Sequence, residues 1–388
     1  MTEARSSSRI LIVGGGVIGT SIAWHLARRG ADVTVLEQRG IASAASGASA
    51  GGVRQQGRDL RELPLAIASI ARWKDLESEL GADIHYRRDG HIQVTEREDD
   101  IPRMREAIAR QQAIGLDIQL VEGDDLRALV PGITPNALAG TYTANDGHAN
   151  PILTTHAFAT AAVRHGATIV LDTRVTGIAR SGDRITGVAT TNGPFACDWL
   201  VLAAGAWSTG LARALDVELP VTPMALQMMA TRPMPPALAQ VVGALNRHLS
   251  LKQIPSGNYV IGGGWPGNAP DLATNLATPR LASIVGSMDH SSAIFPALRG
   301  ATLERVWVGI EGETVDQVPI LGPVPGLANL SLATGFTGHG FALSPIVGQL
   351  LSELILDGTP SIPLDALGFA RFAAGSAPDL PQARIHAG

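Results

Sequence analysis

Residues 9–37 read Arg-Ile-Leu-Ile-Val-Gly-Gly-Gly-Val-Ile-Gly-Thr-Ser-Ile-Ala-Trp-His-Leu-Ala-Arg-Arg-Gly-Ala-Asp-Val-Thr-Val-Leu-Glu. The order is strand, glycine turn, helix, strand, carboxylate. Ile10 to Val13 form a short apolar run of the kind buried in a parallel sheet. Gly14 permits a tight turn, Gly16 lets the backbone approach a pyrophosphate, and Gly19 lets the helix lie close to the strand. The helix predicted over 17–29 begins at Val17 and Ile18, aims its first N–H groups at phosphates, and is stopped by Gly30. Asp32 to Leu36 make a second strand. Glu37 after it is placed to accept both ribose hydroxyls and would repel the extra phosphate of NADP. A second triplet, Gly262, Gly264 and Gly267, is flanked by Pro266 and Pro270. These forbid a following helix, so it reads as a strand end and turn.

At 388 residues the chain is long enough for two domains with their own cores. Its 45% hydrophobic and 17% charged residues describe a globular protein, and the net charge of −5 gives no reason to expect nucleic acid as a partner. Cys197 is the only cysteine. That excludes an internal disulfide, an iron–sulfur cluster held by this chain alone and a cysteine zinc site, and no His or acidic spacing suggests a metal. Residues 1–8 lack an apolar signal core and no apolar stretch reaches membrane-spanning length, so the expected compartment is the cytoplasm.

The loop 41–52 (IASAASGASAGG) is too poor in bulky side chains to build a core, but it can lie flat against a ligand. Periodicity predicts helices over 63–80, 99–114, 151–165, 279–294 and 344–356. Strands are expected over 86–95, 167–171, 199–203, 226–231, 248–253, 259–263, 305–309 and 330–333, with 174–179 and 184–189 paired around Gly182-Asp183. Dinucleotide-domain elements thus recur at the start, middle and end. The expected fold is α/β: a Rossmann-like domain from 1–52, 151–215 and 306–388, interleaved with a smaller α+β substrate domain from 53–150 and 216–305 built on a mixed or antiparallel sheet. Such interleaving suits a flavin enzyme better than a nicotinamide dehydrogenase, whose cofactor fold is usually continuous.

Several blocks together resemble the FAD-dependent amino-acid and amine oxidoreductases of the D-amino-acid oxidase superfamily, which includes glycine oxidase, the sarcosine oxidases and the opine and hydroxyproline dehydrogenase flavosubunits. They are Gly14 to Glu37, Ser43 to Gly52, Asp146-Gly147-His148-Ala149-Asn150-Pro151, Leu202 to Trp207, Trp307 to Gly322 and Ala333 to Gly340. The resemblance implies FAD, covalent or noncovalent, although no cysteine stands near the C-terminal loop to form a thioether. It implies the ADP half on Gly14, Gly16, Gly19 and Glu37, with Gln38 and Arg39 beside them. Ser43, Ala44, Ser49, Ala50, Gly51 and Gly52 would line the flavin side, and Val175 would meet adenine. Ala204, Gly205 and Trp207 join the cofactor set. Gly335, Thr337, Gly338, His339 and Gly340 would meet the isoalloxazine pyrimidine edge, where helix-start N–H groups stabilise charge on the reduced ring.

The chemistry so implied is hydride removal from the carbon bearing an amine, the cofactor carrying the hard step and the protein orienting the substrate. Glycine oxidase-like members place an arginine for the substrate carboxylate where this chain has Glu311. A glutamate there would repel a carboxylate, so the expected substrate is an N-substituted or cyclic amino acid of opine, hydroxyproline or sarcosine type, with Glu311 facing a positive group. Glu311 as a plain ion-pair partner of Arg305 is the alternative. Alternation places His248, Ser250 and Lys252 on one strand face, where Lys252 and His248 could hold a carboxylate or simply edge a sheet. Arg54, directly after the flavin-side glycines, and Tyr259 complete the candidate substrate residues. His148 is expected to order a loop. Two further readings stand beside the leading one: a flavosubunit passing electrons to an iron–sulfur or other partner, with an oligomer as an option, and a flavin-binding scaffold without amine oxidation.

Overall fold

The computed structural model describes residues 9–372. Its first sheet has six strands in the order Ile320–Val324, Leu327–Thr334, Trp199–Leu202, Arg9–Val13, Asp32–Leu36, Thr168–Val170. All neighbours run parallel except the first pair. The apolar runs explain this: Ile10, Ile12, Leu200, Val201, Leu330 and Leu332 are almost wholly buried, as strands covered on both faces must be. Val13, Leu36 and Leu202 stand in register at the carboxyl ends of three adjacent strands, and a crevice opens beyond them.

Four helices close one face of this sheet: Val17–Ala27, Leu63–Trp73, Pro151–Arg164 and Gly340–Asp357. The first is buried along its entire length. Helix Gly340–Asp357 is long and apolar enough to cross a membrane by length and composition, which the sequence reading did not expect, but two-thirds of it is buried inside the protein. On the other face lies a three-stranded antiparallel sheet, Val175–Ser181, Arg184–Thr190 and Gly193–Ala196, packed over Leu11, Leu200 and Leu202. Cys197 is buried there and free.

The second sheet has eight strands: Leu303–Thr314, Val221–Thr231, Tyr259–Gly262, Ser250–Gln253, Val241–Ala244, His91–Thr95, Ala139–Thr143 and Gln119–Glu122. One parallel pair, Val241–Ala244 with His91–Thr95, makes it mixed; the others are antiparallel. Helix Gly123–Leu129 and the end of Leu281–Ile294 cover its back through Leu126, Ile294 and Phe295.

Two segments differ from the sequence-based division. Residues Leu65, Ile70, Trp73, Leu76, Leu80 and Ile84 pack into the core of the parallel sheet, not against the second sheet. Their apolar spacing fits the groove beside helix Gly340–Asp357, whose Ala342 carbonyl accepts from Ser69 Oγ and Trp73 Nε1. Strand Leu303–Thr314 belongs wholly to the second sheet, pairing with Val221–Thr231 along its length, so a boundary at 305/306 cuts through a strand. The helix expected over 63–80 also breaks at Asp75 (φ −106°, ψ 0°), giving Leu63–Trp73 and Leu76–Leu80.

Candidate functional site

The glycine turn owes its shape to missing side chains. A Cβ on Gly14 (φ +116°) would stand 2.4 Å from the Ala203 carbonyl oxygen, and one on Gly19 would stand 2.0 Å from the Gly14 carbonyl oxygen. Helix Val17–Ala27 can therefore approach the strand before it, and no N-cap side chain covers its start. The Val17 N–H is met by Ser46 Oγ at 2.9 Å. Glu37 is buried, and its two oxygens accept from the backbone N–H groups of Gly15 (2.6 Å) and Arg39 (2.8 Å). These bonds fix the carboxylate and leave lone pairs for two more donors. A turn too tight for any Cβ, a helix start whose N-cap is glycine and a fixed acceptor together fit the pyrophosphate and ribose of a dinucleotide.

A single cavity of about 1510 Å³ runs from this cradle into the second sheet. Gly14, Gly16, Val17, Ile18, Glu37 and Gln38 line one end; Ser43, Ala44, Ser49, Ala50 and Gly52 form a wall; Val175, Ala204, Gly205 and Trp207 lie along another side. Gly335, Thr337, Gly338, His339 and Gly340 close the far part, just before and at the start of helix Gly340–Asp357. Gly19 lies behind the turn as packing. Gly51 (φ +70°) faces the Ala149 carbonyl, and Arg39 reaches the Thr274 carbonyl on a crossing loop. That loop, 268–278, is also held by Trp207 Nε1 donating to the Leu272 carbonyl (2.8 Å) and Asn275 Nδ2 donating to the Ser43 carbonyl (3.0 Å).

Of the candidate substrate residues, Arg54 and Glu311 line the cavity. Burial, with Arg58 beside it, lowers the Arg54 pKa to about 9, and its Nη1 donates to the Gln56 carbonyl at 2.9 Å. Glu311, on strand Leu303–Thr314, has its carboxyl raised by burial and by Glu313, against a stabilising bond from the Gly338 N–H. Arg305 stacks on the Trp307 ring instead of pairing with Glu311 in a described salt bridge.

Lys252, His248 and Tyr259 do not line the cavity. Lys252 is buried behind Gly51, its ammonium donating to the Ala50 carbonyl; burial lowers its pKa to about 7. His248 precedes strand Ser250–Gln253 and sits on the outer surface, stacked on His290 with Trp265 alongside, because the strand begins two residues later than its alternation suggested. Tyr259 is core, its ring against Phe295. His148 pairs its strand with Gly52–Val53; burial, then Lys252 and Arg87, bring its pKa to about 3.

A buried polar network beside Arg54 was not visible in the sequence. Asp146 accepts from the Gln55 N–H and Gln55 Nε2, both at 2.9 Å, and burial raises its pKa to about 6 despite these bonds. Glu62 is fully buried; burial alone would raise its carboxyl, but His339, Arg58 and Arg54 hold it below its ordinary value. Its Oε2 is 2.9 Å from His339 Nδ1 and its Oε1 is 3.6 Å from Arg58 Nε. Burial, then Arg58, lowers His339 to about 4, so a neutral imidazole donates from Nδ1 to an ionised Glu62. Helix Leu63–Trp73 thus brings Glu62 to the loop at Gly338–Gly340, a contact across 277 residues that no local motif announces.

A sequence profile described as FAD dependent oxidoreductase (DAO) matches residues 9–354. The chain is similar to hydrogen cyanide synthase subunit HcnC of Pseudomonas aeruginosa, 29% identical over 94% of this chain and 96% of that protein. It is similar to glycine oxidase of Geobacillus kaustophilus, 30% identical over 89% of this chain and 92% of that one. Among solved structures, L-proline dehydrogenase from P. horikoshii superposes with a TM-score of 0.90 at 28% identity, over 96% of this chain and 99% of that one.

Proposed function

Because this chain belongs to the FAD dependent oxidoreductase family, whose cofactor is FAD and whose members act on amines and amino acids, we propose that it oxidises the C–N bond of an N-substituted or cyclic amino acid. One observation carries this reading: Arg54 and Glu311 line the same cavity as the dinucleotide cradle. An amino acid placed between them would put its carboxylate on the buried guanidinium and its amino nitrogen towards the Glu311 carboxylate. FAD held in the cradle would supply the hydride acceptor for the carbon bearing nitrogen; the nitrogen gives up its proton to solvent, and the imine so formed adds water to give a carbonyl compound and an amine, the two ends of one ring-opened molecule when the substrate is cyclic. The protein's part is orientation and exclusion of water. Arg54, its Nη1 bonded to the Gln56 carbonyl, presents a planar guanidinium fixed in orientation. Glu311, bonded by the Gly338 N–H, couples the substrate nitrogen to the loop at the flavin edge.

The test is anaerobic mixing of the holoenzyme with sarcosine, proline, hydroxyproline, N-alkyl amino acids and primary D- and L-amino acids, following loss of flavin absorbance. Bleaching by secondary amino acids ahead of primary ones supports the proposal. Bleaching by primary amino acids alone removes the N-substituted reading, and no bleaching removes amine oxidation altogether. Readmitting air separates oxidase from dehydrogenase.

The similarity to a protein named as a subunit supports a second reading, in which this chain is the flavin-carrying part of a larger assembly. With one buried cysteine, any iron–sulfur cluster would have to come from the partner. Fast bleaching by substrate with slow reoxidation in air is the expected signature, and rapid reoxidation by oxygen counts against it.

A further inference from the structure

Between strand Tyr259–Gly262 and helix Leu281–Ile294 the chain sends out an arm, residues 268–278, none of which is buried. Its base belongs to the second sheet. The Gly267 N–H donates to the Ala225 carbonyl at 2.8 Å, and the Arg280 N–H donates to Gln227 Oε1 at 2.8 Å. Above that base the arm is braced internally. The Asn268 N–H donates to the Thr278 carbonyl at 2.9 Å, and Asp271 and Leu276 exchange backbone hydrogen bonds at 2.9 and 3.1 Å. At the tip the Asp271 carboxylate accepts from the Ala273 N–H (2.9 Å) and from Thr274 Oγ1 (2.7 Å). The Asn275 backbone is left-handed (φ +57°), a conformation asparagine tolerates better than most residues. The arm holds its shape without a core of its own.

Its tip rests on the other domain. Asn275 Nδ2 donates to the Ser43 carbonyl, Trp207 Nε1 to the Leu272 carbonyl, and the Arg39 guanidinium to the Thr274 carbonyl. Ser43 and Trp207 stand on different walls of the cavity, and Arg39 follows the candidate ribose acceptor Glu37 by two residues. The arm therefore ties the second sheet to the dinucleotide domain across the cavity. No residue of it enters a described hydrophobic core. An element with so few buried apolar contacts opens at far lower cost than the domain unfolds. Its braces can stay intact as it opens; only the three tip bonds have to break.

We propose that arm 268–278 is a strap over the cofactor: it has to lift before FAD can enter or leave, and its tip bonds set how often it lifts. The inference needs FAD but no particular substrate, so it stands apart from the oxidation proposed above. A gate that is equally closed with and without cofactor slows entry and release by the same factor. Loosening it therefore speeds both rates and leaves the affinity alone, a signature that loss of a cofactor contact does not give.

The test measures both rates. Apoprotein mixed with FAD gives entry from the quenching of flavin fluorescence. Holoprotein loaded with radiolabelled FAD and chased with excess unlabelled FAD gives release. Asn275→Gly keeps the backbone conformation and removes one tip bond, so both rates should rise about fivefold, the effect of one neutral hydrogen bond. Asp271→Ala unbraces the tip and should shift both rates in the same direction. Replacing 270–277 by two glycines removes all three tip bonds, and both rates should rise about 100-fold. In each variant the FAD affinity should stay within about threefold of the wild type. Unchanged rates in Asn275→Gly overturn the strap, and this variant decides alone if the shortened protein does not fold. Faster release with unchanged entry makes the arm a cofactor contact and overturns the gate. FAD that stays with the protein after denaturation is covalently held and overturns it as well.

Discussion

Substitution of Gly19 by alanine isolates the role of the glycine turn. Within a helix, alanine is favoured over glycine by about 1 kcal/mol, so propensity alone predicts a more stable protein. The structure reverses that sign. The new methyl would stand 2.0 Å from the Gly14 carbonyl oxygen and 3.2 Å from its carbon, and backbone cannot rotate aside as a side chain can. Restoring ordinary contact requires the helix start and the turn to part by about 1 Å, and overpacking of this kind costs about 1–3 kcal/mol. The net effect on the apoprotein is a loss of up to about 2 kcal/mol. Cofactor binding suffers more, because the displaced amides are those aimed at the pyrophosphate. Two charge-assisted bonds weakened by about 1 kcal/mol each lower FAD affinity about 30-fold. Titration of apoprotein with FAD, followed by quenching of flavin fluorescence, gives the affinity; urea unfolding of the apoprotein gives the stability. A Gly19→Ala protein that binds FAD as tightly as the wild type would refute the assignment of this turn to the pyrophosphate.

Three other outcomes are expected. Glu311→Gln should raise KM for a secondary amino acid about tenfold through loss of a charged partner, while leaving FAD affinity unchanged; steady-state kinetics beside flavin titration checks this. Asp146 has its pKa raised from 3.8 to about 6, so the native state holds its proton more tightly than the unfolded chain. Its contribution is therefore present below pH 3.8 and lost as pH rises through about 6, by about 3 kcal/mol for a shift of about two units. Urea unfolding of Asp146→Asn at pH 4 and pH 7 should show a smaller loss of stability across that window than the wild type; an identical loss would assign the effect elsewhere. Cys197, buried with its thiol pushed up to about 11 by burial and then by Asp198, should resist a thiol reagent in the native protein and react fully in denaturant.

The parts of the molecule that were legible in sequence are those whose physics is local. The strand, turn and helix at 9–37 declare themselves because the tight turn, the close approach and the ribose carboxylate each constrain a residue type within a few positions of the next. The second glycine triplet was equally readable as a turn, since proline forbids the helix that the cofactor needs; strand Tyr259–Gly262 ends there. Alternation misled where strand ends were in question. His248 was placed in phase with Lys252, yet the strand starts at Ser250 and His248 turns outward onto His290. Tyr259 has the composition of a site residue and the burial of a core one, and its environment decided between them.

By itself, then, the sequence determined the dinucleotide cradle and the family, because both rest on short-range patterns of glycine, apolar and acidic residues. Tertiary structure alone decided where residues 63–84 and 303–314 belong, because helix and strand faces choose partners by shape and burial far along the chain. It alone also assembled the polar end of the cavity. Arg58, Glu62, His91, Asp146 and His339 are separated by up to 281 positions, and their charge states depend on mutual distance and on exclusion of water, neither of which a linear spacing encodes.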